Sequence, residues 1–188
     1  TRQATLFPYT TLFRSLYTFH ELKKQLPSFI SHGMEGAVLL FDVDRLQRIN
    51  DILGYLVGDE VLQRLGQKCQ SMEGVISYRG PGGKFYCITT EKSESALDRI
   101  YREVQRFSEE VPREMNLEIQ LTISCGVAFF PQDAEDFETL HANVEYALEQ
   151  AKKVGRGSIA QFSGQMHRKT VEKFRLQEVL RESVANNC

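Results

Sequence analysis

Hydrophobic and polar positions follow a helical period in four parts of the chain between residues 16 and 155. Leu16, Phe19, Leu22, Leu26 and Phe29 illustrate it, since these apolar residues recur every three or four positions. Such spacing predicts an amphipathic helix with one face on the core. The four predicted helices cover residues 16–30, 46–52 with a break at Gly54 and a restart near Gly58, 96–107 ending before Pro112, and 137–155 with Asp136 as its cap.

Shorter apolar stretches predict the strands. Residues 37–43 form a continuous apolar run, which is typical of a buried central strand. Two runs flanking a glycine-rich turn predict a β-hairpin over residues 74–90. Further strands are expected over residues 117–130 and 158–162. The order α-β-α-β-β-α-β-α-β favours an α+β fold, with a mixed sheet of about five strands flanked by helices.

Composition sets the broad class of protein. The 188 residues are 41% hydrophobic and 26% charged, which suits one globular domain with short extensions. A net charge of −2 gives no general attraction to nucleic acid or to an anionic membrane. No apolar run is long enough for direct membrane insertion. The four cysteines are widely separated, as in a reduced, cytoplasmic protein, and predict neither a zinc site nor a disulfide framework.

The two ends differ from the middle of the chain. Residues 1–15 lack the periodicity of the central residues and are interpreted as a non-native or fragment-edge segment. Residues 164–188 are interpreted as a helical linker, because the amphipathic stretch from Met166 to Ala185 has no later apolar partner in the chain. The globular domain is therefore expected to span residues 16–163.

Carboxylates follow the predicted central strand. Asp42 and Asp44 lie at its end, facing a glycine-rich hairpin, where acids could hold a metal ion that bridges phosphates. Alternatively, Asp44 begins a turn or caps the next helix.

Four more polar residues allow two interpretations each. Asn50 and Asp59 flank a glycine-containing loop, where an amide and a carboxylate could meet the donors and acceptor of guanine, or could simply be turn residues. Lys152 and Arg156 lie at the end of a helix, where they could bind phosphate oxygens or only complement the helix dipole.

Three segments, in this order, resemble the motifs of the GGDEF domains of bacterial diguanylate cyclases. They are Phe41-Asp42-Val43-Asp44 with its continuation to Gly58-Asp59, Thr122-Ile123-Ser124-Cys125-Gly126-Val127-Ala128, and the stretch from Ala147 to Arg156. The resemblance extends from about residue 16 to residue 162. It implies a palm-like α/β sandwich, in which two domains each bring one GTP and condense the pair into cyclic di-GMP with Mg²⁺.

The resemblance also implies roles for individual residues. Six positions of the family pattern are retained in this chain. By resemblance, Asp42 and the backbone carbonyl of Val43 bind the metal ion, Asn50 and Asp59 recognise guanine, and Lys152 and Arg156 contact phosphate.

The signature hairpin departs from the family pattern. Its five positions are filled by residues 81–85, so that Gly83 stands in place of a metal-binding acid and Lys84 in place of the catalytic acid. The product-inhibition motif, an Arg and an Asp three apart, falls on Met72 and Val75 and is absent. Mg²⁺ binding is therefore expected to be weakened, and no catalytic residue is assigned. Lys84 is expected either to approach the triphosphate in place of the missing cation charge, with GTP binding only weakly dependent on Mg²⁺, or to point into solvent.

The predicted function is that of a catalytically degenerate, GTP-binding GGDEF domain. Residues 174–186 resemble the segment that leads into an EAL domain, the phosphodiesterase that hydrolyses cyclic di-GMP, so the expected partner is an EAL domain of the same protein. An active diguanylate cyclase, with Asp44 taking over a metal role, and a ligand-free interaction scaffold are the alternatives. An active cyclase must pair two half-sites, as in a homodimer, whereas a sensor need not.

Overall fold

The structure is a computed structural model, and it describes residues 16–165 and residue 168. The predicted segment 1–15 and most of the predicted linker 164–188 lie outside the described residues. Five helices are described: α1 (Phe19–Ser31), α2 (Leu46–Leu53), α3 (Tyr55–Ser71), α4 (Glu94–Glu114) and α5 (Phe137–Val154). The six strands are β1 (Tyr17–Thr18), β2 (Gly36–Val43), β3 (Ile76–Arg79), β4 (Lys84–Thr89), β5 (Ile123–Phe130) and β6 (Ile159–Gln161).

All six strands form one mixed sheet in the order β1-β3-β4-β2-β5-β6. Strand β2 lies near its centre and pairs antiparallel with β4 on one side and with β5 on the other. The terminal pairs β1–β3 and β5–β6 are parallel. The predicted α+β class is confirmed.

Both faces of the sheet are covered, which explains the continuous apolar run in β2. Leu39 and Phe41 point into a core formed with α3 and α4, while Val38 and Leu40 point into a second core formed with α1 and α5. A strand buried on both faces needs apolar residues at every position rather than at alternate ones. Helix α5 passes especially close to β5 at Gly126, where an added Cβ would lie 2.4 Å from the Val144 carbonyl oxygen.

The first helix and its flanking strand differ from the sequence prediction. Helix α1 begins at Phe19 rather than Leu16, because Thr18 caps it and Glu21 bonds back to the Thr18 backbone N–H. The residues before this capping box are extended, and they add β1 as a sixth strand beside β3.

Two other predicted boundaries are wrong. The strand expected over residues 117–130 begins only at Ile123, because its partner β2 ends opposite that residue, at Val43. Helix α4 does not stop before Pro112 but continues to Glu114, because Val111 and Pro112 are both buried against the core.

None of the helices within the described residues combines the length and the apolar character that a bilayer crossing requires.

We predict that Gly126→Ala lowers the free energy of unfolding by about 3 kcal/mol, because the added methyl group meets the backbone of α5, which cannot move aside as a side chain can. Urea unfolding of the two proteins measures this difference. Gly164→Ala is the matched control, since an added Cβ there has open space. A loss no greater than that of the control would show that β5 and α5 are not packed this closely.

Candidate functional site

The site is built around the end of β2, where Asp42 is the first carboxylate of the strand. In the sheet register Asp42 lies opposite Lys84 on β4 and Ser124 on β5. Its side chain is only 13% exposed. The main chain of β2 therefore places a nearly buried negative charge directly beside the hairpin that carries Lys84.

Lys152, from the last turn of α5, supplies the counter-charge. Its Nζ lies 2.8 Å from Asp42 Oδ2 and 3.2 Å from Glu149 Oε1. Burial raises the pKa of Asp42, although the hydrogen bond from Lys152 and the charges of Lys152 and Lys84 act in the opposite direction. For Lys152, burial lowers the pKa, but the contact with Asp42 outweighs it and the net shift is upward. Asp42 therefore has a counter-ion from its own chain.

The tip of the hairpin has a backbone that favours glycine. Residues Pro81–Gly83 form a short 3₁₀ turn, in which Gly83 is buried and has a φ of +91°. An added Cβ there would lie 2.8 Å from Leu46 Cδ2. Residues other than glycine have a strained backbone at such a φ. The position that the resemblance aligns with a metal-binding acid thus has a backbone that favours glycine.

Lys84 forms an ion pair with a residue that the sequence did not indicate. Its Nζ lies 2.6 and 2.8 Å from the two carboxylate oxygens of Glu145 on α5. Tyr86 Oη contacts the same carboxylate at 3.3 Å and His141 Nε2 at 2.9 Å. The Lys84 side chain is only 24% exposed, so the expectation that it points into solvent is wrong. The structure describes no ligand, and contact between Lys84 and a triphosphate stays a prediction.

Asn50 and Asp59 are brought to the same elbow, between α2 and α3. Gly58 lies against the Asn50 amide so closely that an added Cβ would be 1.8 Å from Oδ1. This Oδ1 is the one buried side-chain oxygen or nitrogen without a hydrogen-bond partner among the described residues. Such an atom costs about 1–3 kcal/mol. An unpaired buried atom of this kind calls for an explanation, and contact between Asn50 and a guanine base stays a prediction.

Asp44 is a structural residue rather than a spare metal ligand. It is buried, and its carboxylate accepts two contacts of 2.9 Å from Ser124 Oγ and one of 3.0 Å from the Gly157 N–H. It does not cap α2 either, since the cap position of that helix is Arg45, which forms no side-chain cap. The bonds of Asp44 hold the end of β2, the start of β5 and the turn after α5 together, and they leave the carboxylate poorly placed to replace an absent acid.

Arg156 is positioned by this same turn. It is exposed and lines a cleft of about 620 Å³ between the start of α2 and residues 118–122. Lys152 binds Asp42 and does not line this cleft, so the cleft contains only one of the two predicted phosphate contacts.

The described residues contain no group of three or more His, Cys, Asp or Glu side chains that could hold a metal ion. Asp42 is paired with Lys152, Asp44 is occupied by Ser124 and Gly157, and Gly83 has no side chain. A Mg²⁺ ion with several protein carboxylates does not fit this set of residues.

Sequence comparison agrees with the geometry. Residues 8–158 match the model of the family described as "Diguanylate cyclase, GGDEF domain". The chain belongs to the GGDEF domain family.

Relatives and solved structures of GGDEF proteins cover different functions. The chain is 27% identical, over 99% of its length, to "Cyclic di-GMP phosphodiesterase NbdA" of Pseudomonas aeruginosa, and covers 24% of that protein. It is 29% identical, over 73% of its length, to "Diguanylate cyclase DosC" of Escherichia coli, and covers 30% of it. The solved GGDEF domain of YfiN from Pseudomonas aeruginosa superimposes with a TM-score of 0.69 at 23% identity, covering 84% of this chain and 96% of that one. This GGDEF chain thus spans about a quarter of the relatives' length, and its palm-like fold is confirmed.

Glu145 is the main site residue that sequence reasoning missed. A weak signal existed, because Glu145 and Lys152 are seven residues apart and so lie on the same face of α5.

We predict that Lys152→Met lowers the free energy of unfolding by about 2 kcal/mol at pH 7, because it leaves the carboxylate of Asp42 nearly buried and unpaired. The folded-state pKa of Asp42 is already raised, and losing the ammonium raises it further. Ionisation of Asp42 then costs stability as the pH rises through the interval between its ordinary pKa and this higher value. The loss should therefore be clearly smaller at pH 4.5, as urea unfolding at both pH values would show.

Lys153→Met is the control for this pair, because Lys153 is the exposed neighbour on the same helix. An equal loss for Lys152→Met at both pH values, or a loss matching that of Lys153→Met, would contradict the ion pair.

We further predict that Gly83→Ala destabilises the domain by about 2 kcal/mol, through its positive φ and the contact with Leu46. Gly82→Ala serves as the comparison, since Gly82 also has a positive φ of +66° but has open space around it, and should cost about 1 kcal/mol. Thermal unfolding measures both. If Gly83→Ala is neutral, the hairpin tip is not restricted as described.

Proposed function

We propose that this GGDEF domain is a regulatory module of cyclic di-GMP signalling, which binds GTP without condensing it and modulates an adjoining EAL phosphodiesterase. The observation that carries the proposal is the contrast within the site. The hairpin positions of both acids are altered, with Lys84 bound to Glu145, while the Asn50–Gly58–Asp59 elbow is intact.

The altered hairpin removes the groups on which condensation depends. Joining two GTP molecules requires a 3′-hydroxyl to lose its proton as it attacks a phosphate, and the developing charge must be stabilised. At the position of the catalytic acid stands an ammonium group, which cannot accept that proton, and the remaining acid Asp42 is bound to Lys152. Mg²⁺ would have to displace Lys152 from Asp42 with fewer carboxylates than it normally uses, so its binding is weakened. Val43 would offer only its backbone carbonyl.

The guanine side of the site retains what recognition requires. Asn50 lies on α2 and Asp59 follows Gly58 on α3, and Gly58 packs against the Asn50 amide. The oxygen of this amide is buried and has no hydrogen-bond partner among the described residues. Rotation of this amide would present Oδ1 to the N–H groups of guanine, with the carboxylate of Asp59 as a second acceptor. A ligand that donates a hydrogen bond to this oxygen removes the cost of leaving it unpaired, and this adds to the free energy of binding.

Residues that would contact phosphate lie at the other end of the site. Arg156 is exposed in its cleft, and Lys152 would have to leave Asp42 to contact a phosphate. Lys84 would likewise have to leave Glu145.

The proposed EAL partner and cytoplasmic location rest on the relatives and on the sequence. NbdA is a cyclic di-GMP phosphodiesterase, and this chain covers only 24% of its length. Residues 174–186, outside the described residues, resemble the segment before an EAL domain. A homodimer is not required, because a domain that only senses a nucleotide does not have to align two half-sites.

We predict that the purified chain forms no cyclic di-GMP when incubated with GTP and Mg²⁺, and that it binds GTP. Asn50→Ala should weaken GTP binding by about tenfold, since it removes hydrogen bonds to the base. Chromatography of the reaction and calorimetric titration provide the two measurements. Gln67→Ala, which removes an exposed amide on α3, is the control.

Each outcome separates two functions. Accumulation of cyclic di-GMP would identify an active cyclase and refute the proposal. No GTP binding by the unaltered chain, or equal binding by the Asn50→Ala variant, would favour an interaction scaffold. Titration of GTP into the intact parent protein, with phosphodiesterase rate as the readout, then tests the regulatory role.

A further inference from the structure

The altered hairpin suggests Lys84 as the source of free positive charge in the site, but the contacts of Lys84 exclude this. Lys84 replaces an acid, but both oxygens of Glu145 lie within 2.8 Å of its ammonium group. Lys152 is bound to Asp42 and Glu149. Each of these two cations has a carboxylate from the chain, so neither adds uncompensated charge for an anionic ligand.

Uncompensated charge is found instead in the cleft beside Asp44. Three arginines line this cleft of about 620 Å³: Arg45 and Arg48 from the start of α2, and Arg156 from the turn after α5. All three are exposed, and none forms an ion pair or a side-chain hydrogen bond with the residues that the structure describes.

Two carboxylates also line the cleft, and they do not cancel this charge. Asp44 is buried and directs its oxygens to Ser124 and Gly157. Glu118 is exposed on the opposite wall, in the segment before β5. Among the described residues, three guanidinium groups therefore outnumber these two carboxylates, and the cleft has a net positive charge.

The backbone at the start of α2 adds to this preference for anions. Arg45, whose φ is 56°, occupies the cap position of this helix, and no side chain caps it. The first N–H groups of a helix carry a partial positive charge and attract anions. Three guanidinium groups and this helix end thus line the same space.

We propose that the cleft lined by Arg45, Arg48 and Arg156 binds the polyphosphate chain of a nucleotide through guanidinium groups rather than through a divalent cation. The planar, always charged guanidinium group matches phosphate oxygens in geometry. This inference rests on the proposed GTP binding and deepens it, because it names the ligand form: a nucleotide triphosphate free of Mg²⁺. The charge that replaces the lost metal is thereby assigned to the arginines and not to Lys84.

Binding of inorganic tripolyphosphate, measured by calorimetry in EDTA, tests the cleft apart from guanine recognition. The unaltered chain should bind it, and Arg45→Ala and Arg48→Ala should each weaken binding by about tenfold. Arg48→Lys should restore part of the affinity, because it keeps the charge. Arg106→Ala is the matched control, since Arg106 is an exposed arginine on α4 that does not line the cleft, and it should bind as the unaltered chain does.

The inference is overturned if tripolyphosphate binds only when Mg²⁺ is added, or if Arg45→Ala and Arg48→Ala bind like Arg106→Ala. It is also overturned if a poly-glutamate peptide binds as tightly as tripolyphosphate, which would assign the cleft to an acidic protein segment. Failure of the proposed function looks different. In that case tripolyphosphate binding depends on the arginines, but GTP binds no more tightly than tripolyphosphate and its affinity is unchanged by Asn50→Ala. This result would support phosphate binding in the cleft and refute guanine recognition.

Discussion

The nearly buried carboxylate of Asp42 requires a positive charge close to it. The source of this charge determines which other side chains of the site can bind a ligand. Strand β2 ends between β4 and β5, so the position of Asp42 is fixed by two hydrogen-bonded neighbours. Lys152 reaches it from α5 at 2.8 Å, and Lys84 lies opposite it in the sheet. An ion pair of this kind stabilises the fold chiefly because removing one partner would leave the other charge buried. The carboxylate that a metal would use is thus already satisfied by the protein.

The two sides of the site differ in how much they depart from the family pattern. At the α2–α3 elbow, Gly58 leaves room for the Asn50 amide, and guanine recognition there stays a proposal. At the hairpin, the change extends beyond side-chain identity, since Gly83 is held at a positive φ and Lys84 is bound to Glu145. Restoring an acid at Gly83 would therefore require a different backbone as well as a different residue. The proposal that the domain binds a nucleotide without joining two depends on this difference between the two sides.

Local signals in the sequence predicted much of the fold. The apolar run of β2 identified a strand buried on both faces, and Asp136 was correctly predicted as the cap of the last helix. Residues 117–122 alternate between apolar and polar positions as a strand does, but no described strand pairs with them. The reason is that β2 ends opposite Ile123, and the local pattern of residues 117–122 cannot reveal this. For the site, motif spacing predicts Asp42 and Asn50, and their roles stay predictions. It could not reveal Glu145, because its partner Lys84 lies 61 positions away and the contact exists only after α5 packs on the sheet.

The proposed GTP binding depends on cations of the chain in place of a divalent metal. Calorimetry of the unaltered chain, once in millimolar Mg²⁺ and once in excess EDTA, measures the dissociation constant of GTP under both conditions. We expect the two values to lie within about threefold of each other, because guanidinium groups and not a metal neutralise the phosphates. A loss of about a hundredfold or more in EDTA would contradict this expectation, and would show that Asp42 exchanges Lys152 for a metal ion when the nucleotide binds.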